Sequence, residues 1–273
     1  MRRGGSPLPP KVASPAMPEV LYQSSEGVAT ITINRPERRN SMTQAVVEAL
    51  RAAVGQARED AAVRVVVLTG AGEKAFCSGV DLSGGADGGF LGDHAGRGQL
   101  PALFTDLWGL GKPTIARVRG FALAGGFGLA LACDFVIASD DSQFGAPEVN
   151  VGLWPYVITV PLVRSMPPKR ALELMMTGRR VDAAEALSIG FLNRVVPPDQ
   201  LDGAVSELAA RLAGASPIVM KMGRDSFYSV MDLPADAALR HLHAQLSLTT
   251  LTEDAREGMA AFNEKRRPVW KGR

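Results

Sequence analysis

The sequence predicts an α/β fold, because strand-like and helix-like patterns alternate along its first half. Residues 27–34 (GVATITIN) alternate in polarity and are rich in β-branched side chains, which is typical of a strand. Val46, Leu50 and Val54 then recur at four-residue spacing, as on the buried face of a helix. Residues 63–70 (VRVVVLTG) form an apolar run that predicts a fully buried strand. Strand, helix and strand in this order predict a right-handed crossover.

The limits of the next elements follow from capping and turn residues. Residues 41–44 (SMTQ) fit a capping box, so the first helix is expected to begin there and to end near Arg58. The strand and helix unit then recurs, with a helix at 100–110, a strand at 113–120, a short buried helix in the glycine-containing segment 120–135 and a strand at 135–139.

The second half is predicted to be helical, apart from a short strand at 193–196. Asp182 and Glu185 form a second capping box, and Gly190 stands where a helix commonly ends. The expected helices cover residues 169–177, 199–213, 216–231, 236–250 and 254–263. Several of them have apolar faces too broad for a lone surface helix, which predicts packing on a partner chain.

These patterns divide the chain into three predicted parts. Residues 1–18 are basic and rich in Pro and Ser and are expected to form a disordered tail, residues 19–200 the core, and residues 201–273 a helical oligomerisation region. The glycine-rich segment between Leu82 and Leu100 is expected to form an irregular mobile loop. Such a loop is either a lid over a site or a tolerated surface loop.

The composition limits the kinds of partner. The 273 residues are 46% hydrophobic and carry a formal net charge of +2 without charged blocks, so we expect no nucleic-acid partner. No apolar run approaches the roughly 18 residues that a membrane span needs. Two separated cysteines, Cys77 and Cys133, suit a reducing compartment, and we expect a cytoplasmic location.

Two segments combine a strand, a turn of small residues and a helix. Ser78 and Gly79 mark the first turn, and Gly125 and Gly126 mark the second. The first N–H groups of a helix lack intrahelical partners and attract anions, and glycine lets a ligand approach the backbone closely. The alternative is that these glycines only allow close packing of a helix against a strand.

A carboxylate, Glu148, is surrounded in sequence by apolar residues. Its neighbours include Phe144, Pro147, Val149 and Trp154. An apolar environment raises the pKa of a carboxyl group towards the range that suits proton transfer. The alternative is a structural glutamate held in a salt bridge.

The sequence gives less support to phosphate-binding, dinucleotide-binding, metal-binding or serine-hydrolase sites. Neither glycine segment has the spacing of a phosphate loop or of a dinucleotide fingerprint, and no His or Cys pair has metal-ligand spacing, so we expect no metal site. A serine hydrolase using Ser78 is disfavoured, because nothing suggests a His–Asp pair near it.

Taken together, five stretches resemble the crotonase (enoyl-CoA hydratase/isomerase) superfamily. They are NRPERRNSM, KAFCSGVDL, GFALAGGFGLALACDFVIAS, FGAPEVNVGL and MTGRRVDAAEALSIGFLNRVVP, and they occur in the family's order. The resemblance runs from about Val20 to the C-terminus. It implies a crotonase-like spiral of ββα units, a helical C-terminal region that trimerises, and a homotrimer or a dimer of trimers.

The resemblance also implies the roles of particular residues. The backbone N–H groups of Ser78 and Gly125 match the oxyanion hole for an acyl-CoA thioester, and Glu148 matches a catalytic glutamate. The coenzyme A part, which belongs to the substrate, is expected along Ser78, Gly79, Val80 and Asp81, with its adenine near Ala75 and Leu82 and its phosphates near Arg38 and Arg39. No separate cofactor is expected.

Gly128 matches the second glutamate of the hydratases and is a departure from their pattern. Hydration uses two carboxylates, whereas one base can move a double bond, so the resemblance favours an enoyl-CoA isomerase. The alternatives are a weak hydratase and a non-catalytic acyl-CoA binder. The acyl pocket is expected to be lined by Trp154, Tyr156 and Phe127. We also expect Gly128→Glu to leave binding unchanged and to raise hydration.

Overall fold

The computed structural model describes residues 17–81 and 94–273, and its strands form two sheets. The strands are β1 (Val20–Ser25), β2 (Val28–Ile33), β3 (Val65–Gly70), β4 (Ala75–Cys77), β5 (Thr114–Val118), β6 (Phe121–Leu123), β7 (Phe135–Ser139), β8 (Gln143–Gly145), β9 (Arg180–Asp182) and β10 (Arg194–Val196). The helices are α1 (Gln44–Glu59), α2 (Gln99–Trp108), α3 (Gly125–Leu131), α4 (Thr159–Ser165), α5 (Pro168–Thr177), α6 (Ala183–Ile189), α7 (Leu201–Ala213), α8 (Pro217–Val230), α9 (Ala235–Thr250) and α10 (Glu253–Asn263).

The larger sheet has six strands in the order β1-β2-β3-β5-β7-β10. Only β1 pairs in antiparallel fashion, and the remaining pairs are parallel. Every residue of β3 is buried, as its continuous apolar run predicts for a central parallel strand. The predicted α/β class and the parallel pairing of β2 with β3 are confirmed.

Helix α1 covers one face of this sheet with the apolar residues predicted for it. Val46, Leu50 and Val54 are buried, and each such side chain contributes about 1.5–3 kcal/mol when it is removed from water. The predicted start at Ser41 is wrong. Thr43 is the N-cap, and its side chain accepts a hydrogen bond from the Val46 N–H. Ser41 instead donates to Asp81.

The smaller sheet, in the order β4-β6-β8-β9, consists of strands that the local sequence patterns do not predict. Strands β4, β6 and β8 are parallel neighbours, and β9 closes the sheet in antiparallel fashion. Each of the four strands has only three residues, which is too short for an alternating pattern to show. The expectation of a second half with a single short strand is therefore wrong at β9.

The chain alternates between the two sheets. Strands β3, β5 and β7 of the larger sheet lead into β4, β6 and β8 of the smaller sheet, and helices follow each pair. One apolar core fills the space between the sheets and α1, α2 and α3. This order of elements agrees with the predicted succession of ββα units.

The C-terminal helices fall into two groups. Helix α7 packs on the outer face of the larger sheet, where its Leu201 and Val205 join Val65 and Ile115 in a second apolar cluster. The predicted boundary after residue 200 therefore separates a helix from the sheet that it covers. Helices α8, α9 and α10 bury few residues, and α9 buries none within this chain.

Some predictions lie outside the described residues. These are the tail up to residue 16, the part of the glycine-rich segment from 82 to 93, and the adenine contact at Leu82. Within the described part of that segment, residues 94–97 are helical, so the expectation of an irregular loop up to Leu100 is wrong there. Within residues 17–81 and 94–273, the structure contains no helix that is both long and apolar enough to cross a bilayer.

Candidate active site

Three neighbouring strands of the smaller sheet end at the candidate site. Ser78 follows β4, Ala124 follows β6, and Ala146 follows β8. Because these strands are parallel, their carboxyl ends lie at one edge of the sheet. The Ala124 N–H donates to the Gly145 carbonyl oxygen at 2.9 Å, which joins the second and third segments. The short strands, which the sequence pattern does not predict, thus bring together the segments that the sequence analysis identified as candidate site segments.

The turn after β4 presents a different amide from the predicted one. The Ser78 N–H donates to the Arg39 carbonyl oxygen at 3.1 Å and is therefore not free to bind an oxyanion. The Met42 N–H donates to the Gly79 carbonyl oxygen, and the Met42 carbonyl oxygen accepts a hydrogen bond from the Asp81 N–H. In a parallel bridge of this kind the N–H of the intervening residue, Val80, points away from Met42. Within the described chain no backbone acceptor takes the Val80 N–H.

The amide of Gly125 lies beside this turn. A Cβ atom added to Gly79 would be 3.4 Å from the Gly125 nitrogen, so the two segments converge. Ala124 precedes Gly125 and adopts φ 51° and ψ −129°, a conformation that costs a residue with a side chain about 1–3 kcal/mol. This strained residue turns the chain from β6 into α3, whose first N–H groups have no intrahelical partner.

The remaining glycines of α3 serve packing. A Cβ atom added to Gly126 would lie 2.7 Å from Cβ of Cys77, and one added to Gly128 would lie 2.8 Å from Cβ of Ile158. The packing alternative is therefore the correct one for Gly126, and Gly128 is limited by packing in the same way. At Gly128 the side chains of Ile158 and Phe104 occupy the space, so the expectation that a glutamate is accepted there is corrected.

Glu148 has the environment expected of a catalytic acid or base. It is half-buried in the short 3-10 helix Pro147–Val151 that follows β8. Its Oε2 is buried and has no hydrogen-bond partner among the described residues, and no ion pair involves it there. Burial raises the pKa of the Glu148 carboxyl above its usual value, although a hydrogen bond from its own backbone N–H opposes this shift. The salt-bridge alternative is therefore excluded within the described part of the chain.

The residues expected to meet coenzyme A lie on both sides of the β4 turn. Arg38 and Arg39 are exposed, and the Arg39 carbonyl contact places both beside Ser78. Asp81 forms an ion pair with Arg35 at 3.3 Å and therefore has a structural role in holding the loop. Ala75 is buried, and its carbonyl oxygen accepts a hydrogen bond from the Asn40 side chain.

Of the three residues predicted to line the acyl pocket, Phe127 is the one that the structure contradicts. Phe127 is fully buried and packs against Phe144 and Phe191 in the core, so it does not line the pocket. Tyr156 is 77% exposed at the surface, and Trp154 packs against the edge of the core. Gly128 lies one helical turn after Gly125 on the same face of α3. Ile158 and Phe104 pack against Gly128, and neither was among the residues predicted to line the acyl pocket.

A cavity with a volume of about 830 Å³ lies elsewhere in the described chain. It is open to solvent and is lined by residues of α8, α10 and the larger sheet, including Phe135, Val219 and Met259. Its lining includes none of the residues at the ends of β4, β6 and β8. We therefore place the site by its amides and its carboxylate.

The fold and the geometry of the strand ends are those of an α/β protein with a half-buried carboxylate at a sheet edge, and comparisons with known proteins identify the family. Residues 23–273 match the family described as enoyl-CoA hydratase/isomerase. Carnitinyl-CoA dehydratase of Salmonella typhi is 36% identical over 265 residues, covering 94% of this chain and all of that protein. The chain belongs to the enoyl-CoA hydratase/isomerase (crotonase) family, whose members act on acyl-CoA thioesters.

Solved structures agree with this assignment. Human enoyl Coenzyme A hydratase domain-containing protein 3 superposes with a TM-score of 0.89 at 30% identity, covering 93% of this chain and 100% of that one. Enoyl-CoA hydratase of Mycobacterium smegmatis also gives a TM-score of 0.89, at 34% identity, covering 93% and 99%. The predicted family is therefore confirmed.

Proposed function

We propose that this enzyme forms the enolate of an acyl-CoA thioester and moves a double bond from C3 to C2 of the acyl group. The proposal is supported above all by the half-buried carboxylate of Glu148, whose Oε2 has no hydrogen-bond partner among the described residues, at the strand edge where the Gly125 amide also lies. Amides aimed at a developing oxyanion and a base of raised pKa are what enolate chemistry requires.

The proposed reaction needs one base. The Glu148 carboxylate removes a proton from C2 of a 3-enoyl thioester, and the electron pair of that C–H bond moves towards the carbonyl oxygen. The N–H groups of Gly125 and Val80 stabilise the resulting oxyanion. The carbonyl double bond then reforms, the C1–C2 π pair moves to form the double bond between C2 and C3, and the π pair of the breaking C3–C4 double bond takes the proton of the Glu148 carboxylic acid at C4. The base is regenerated, and no water is consumed.

Hydration is the second candidate, because the similar proteins named above are called dehydratase and hydratases. Adding water needs room for the water and a second group to move its protons. The space at Gly128 is filled by the hydrocarbon side chains of Ile158 and Phe104. We therefore rank isomerisation first. A non-catalytic binder ranks last, because it gains nothing from a half-buried carboxylate that has no ion pair among the described residues.

The proposal is tested with two substrates. The protein is incubated separately with a 3-enoyl-CoA and a 2-enoyl-CoA, and both product mixtures are followed by mass spectrometry. We expect the first to convert to 2-enoyl-CoA and the second to gain little water. Fast hydration of the second substrate would favour the hydratase, and no reaction with either would favour the binder.

Removing the Val80 N–H tests the choice between the two amides of the β4 turn. We expect Val80→Pro to lower turnover about 10²-fold, as loss of one oxyanion donor does, because no described backbone bond depends on this N–H. The melting temperature, measured in parallel, should stay close to that of the wild type. Unchanged turnover in a folded variant would show that the Val80 amide is not a donor to the substrate.

We also propose that the substrate brings coenzyme A as its own part, without a separate cofactor. The backbone around Gly79 and Val80 would bind it, with Arg38 and Arg39 near its phosphates. Both cysteines, Cys77 and Cys133, are free and buried, which supports the proposed cytoplasmic location.

Self-association is proposed for the C-terminal helices, as a homotrimer or a dimer of trimers. Leu239, Leu242 and Leu246 share one face of α9 and are 38–68% exposed, and Phe262 of α10 is 84% exposed. Leaving such a surface in water is unfavourable. Light scattering should give a mass of three or six chains, and Leu246→Glu should lower it. A monomeric wild type would contradict the proposal.

A further inference from the structure

A buried arginine of the C-terminal region binds the end of helix α2. Arg224 of α8 donates from Nη1 to the Trp108 carbonyl oxygen at 2.8 Å and from Nη2 to the Leu107 carbonyl oxygen at 2.7 Å. The last carbonyl groups of a helix have no intrahelical partner and carry the negative end of its dipole. A guanidinium group in this position therefore caps α2 from another part of the chain.

The charge of Arg224 is balanced at the same place. Its side chain is 6% exposed, and its Nε donates to Asp134 Oδ2 at 2.8 Å. The Tyr228 hydroxyl donates to the other oxygen of Asp134 at 2.6 Å. The Asp134 carboxylate also accepts a hydrogen bond from the Thr114 N–H, which fixes Asp134 to β5. A buried charge is tolerated only when it is paired in this way, so the geometry of Arg224 is closely determined.

Helix α2 carries residues to the candidate site. Leu100 and Phe104 are both buried on it. A Cβ atom added to Gly125 would lie 3.3 Å from Cδ2 of Leu100. A Cβ atom added to Gly128 would lie 3.2 Å from Cζ of Phe104. Helix α2 is therefore the wall that faces α3. Arg51 of α1 fixes the outer side of this wall through Gln99 and Asp106.

We propose that Arg224 is a positioning residue for the active site. It holds the C-terminal end of α2 against the core, so that Leu100 and Phe104 keep α3 in place and the Gly125 amide stays aligned with Glu148. A displacement of about 1 Å in such a wall is enough to cost a factor near 10² in rate. The inference rests on the proposed function for its kinetic consequence, but its structural part stands apart from the reaction.

The test compares Arg224→Gln with two controls in the full-length protein. Tyr228→Phe removes a hydrogen bond to Asp134 but leaves both bonds from Arg224 to the carbonyls of α2. Arg117→Gln removes an ion pair of β5 with Asp202 of α7 that does not involve α2. Hydrogen exchange is measured for residues 99–108, binding is measured with butyryl-CoA, and kcat and KM are measured with a 3-enoyl-CoA.

For Arg224→Gln we expect exchange of the α2 amides to rise at least tenfold and kcat to fall about 10–100-fold. Butyryl-CoA affinity should stay within threefold, because the coenzyme A part is bound at the β4 turn. Both controls should keep wild-type exchange in α2 and kcat within threefold. If Arg224→Gln does not fold, Arg224→Lys replaces it, with the same increase in exchange expected.

Two results would overturn the inference. One is unchanged exchange in α2 in the folded Arg224 variant, and the other is an equal loss of kcat in either control. If the wild type converts neither enoyl-CoA, the proposed function fails. The exchange measurement on α2 still decides whether Arg224 positions this helix.

Discussion

Glu148→Gln lowers turnover of a 3-enoyl-CoA by at least about 10²-fold, the usual contribution of a general base. The amide keeps the shape of the side chain but cannot accept the proton from C2. Because burial raises the pKa of Glu148, the wild-type rate should increase with pH along a limb that lies above the usual range of a glutamate. The rate at saturating substrate is measured between pH 4 and pH 9 in buffers of constant ionic strength.

Two controls separate a catalytic loss from a structural one. Affinity for butyryl-CoA should be nearly unchanged in Glu148→Gln. Stability should not fall at neutral pH. A carboxyl whose pKa is raised in the folded state destabilises that state once pH exceeds its unfolded pKa, so removing the charge is neutral or stabilising above that pH. Wild-type turnover in this variant would rule out Glu148 as the base.

Gly128→Glu is expected to unfold the protein or to lower its melting temperature sharply. The first side-chain atom alone would lie 2.8 Å from Cβ of Ile158 and 3.2 Å from Cζ of Phe104. Ile158 is 2% exposed and branched at Cβ, so it cannot move aside cheaply. Overpacking by even a methyl group costs about 1–3 kcal/mol, and a buried carboxylate adds to this. In thermal unfolding, Gly128→Ala should lower the melting temperature through overpacking alone, and Gly128→Glu should lower it further through the buried carboxylate.

A second substitution at Ile158 should relieve the clash. In Gly128→Glu/Ile158→Gly the space of the isoleucine side chain becomes available, and the two changes should be strongly non-additive. We expect the double variant to fold and to hydrate a 2-enoyl-CoA faster than Ile158→Gly alone. A Gly128→Glu single variant as stable as the wild type would contradict the observed packing.

The long elements were predictable because their patterns are local. The buried run of β3 and the four-residue spacing of α1 identify the larger sheet and its covering helix directly. Strands β4, β6, β8 and β9 could not be predicted, since three residues show no period and their pairing is with distant segments. The fold class was therefore accessible, whereas the sheet that assembles the site was not.

In the candidate site, too, some residues could be predicted from local sequence patterns and others depend on contacts between distant segments. Glu148 could be found from its apolar neighbours, and Gly125 from its position after a strand. The choice of Val80 over Ser78 depends on a hydrogen bond from Ser78 to Arg39, 39 residues away in sequence, which no local pattern reports. The contact of Gly128 with Ile158, likewise, is visible only once α3 and α4 are packed together.

Exchange of the C2 protons of butyryl-CoA in deuterium oxide is a direct measure of whether this protein forms a thioester enolate. This saturated thioester can be neither isomerised nor hydrated, so mass spectrometry of the recovered thioester reports enolate formation alone. We expect the wild type to incorporate deuterium at C2 and Glu148→Gln, with equal affinity for butyryl-CoA, to do so at least about 10²-fold more slowly. Equal incorporation by both proteins, or none by a wild type that binds the thioester, would contradict it.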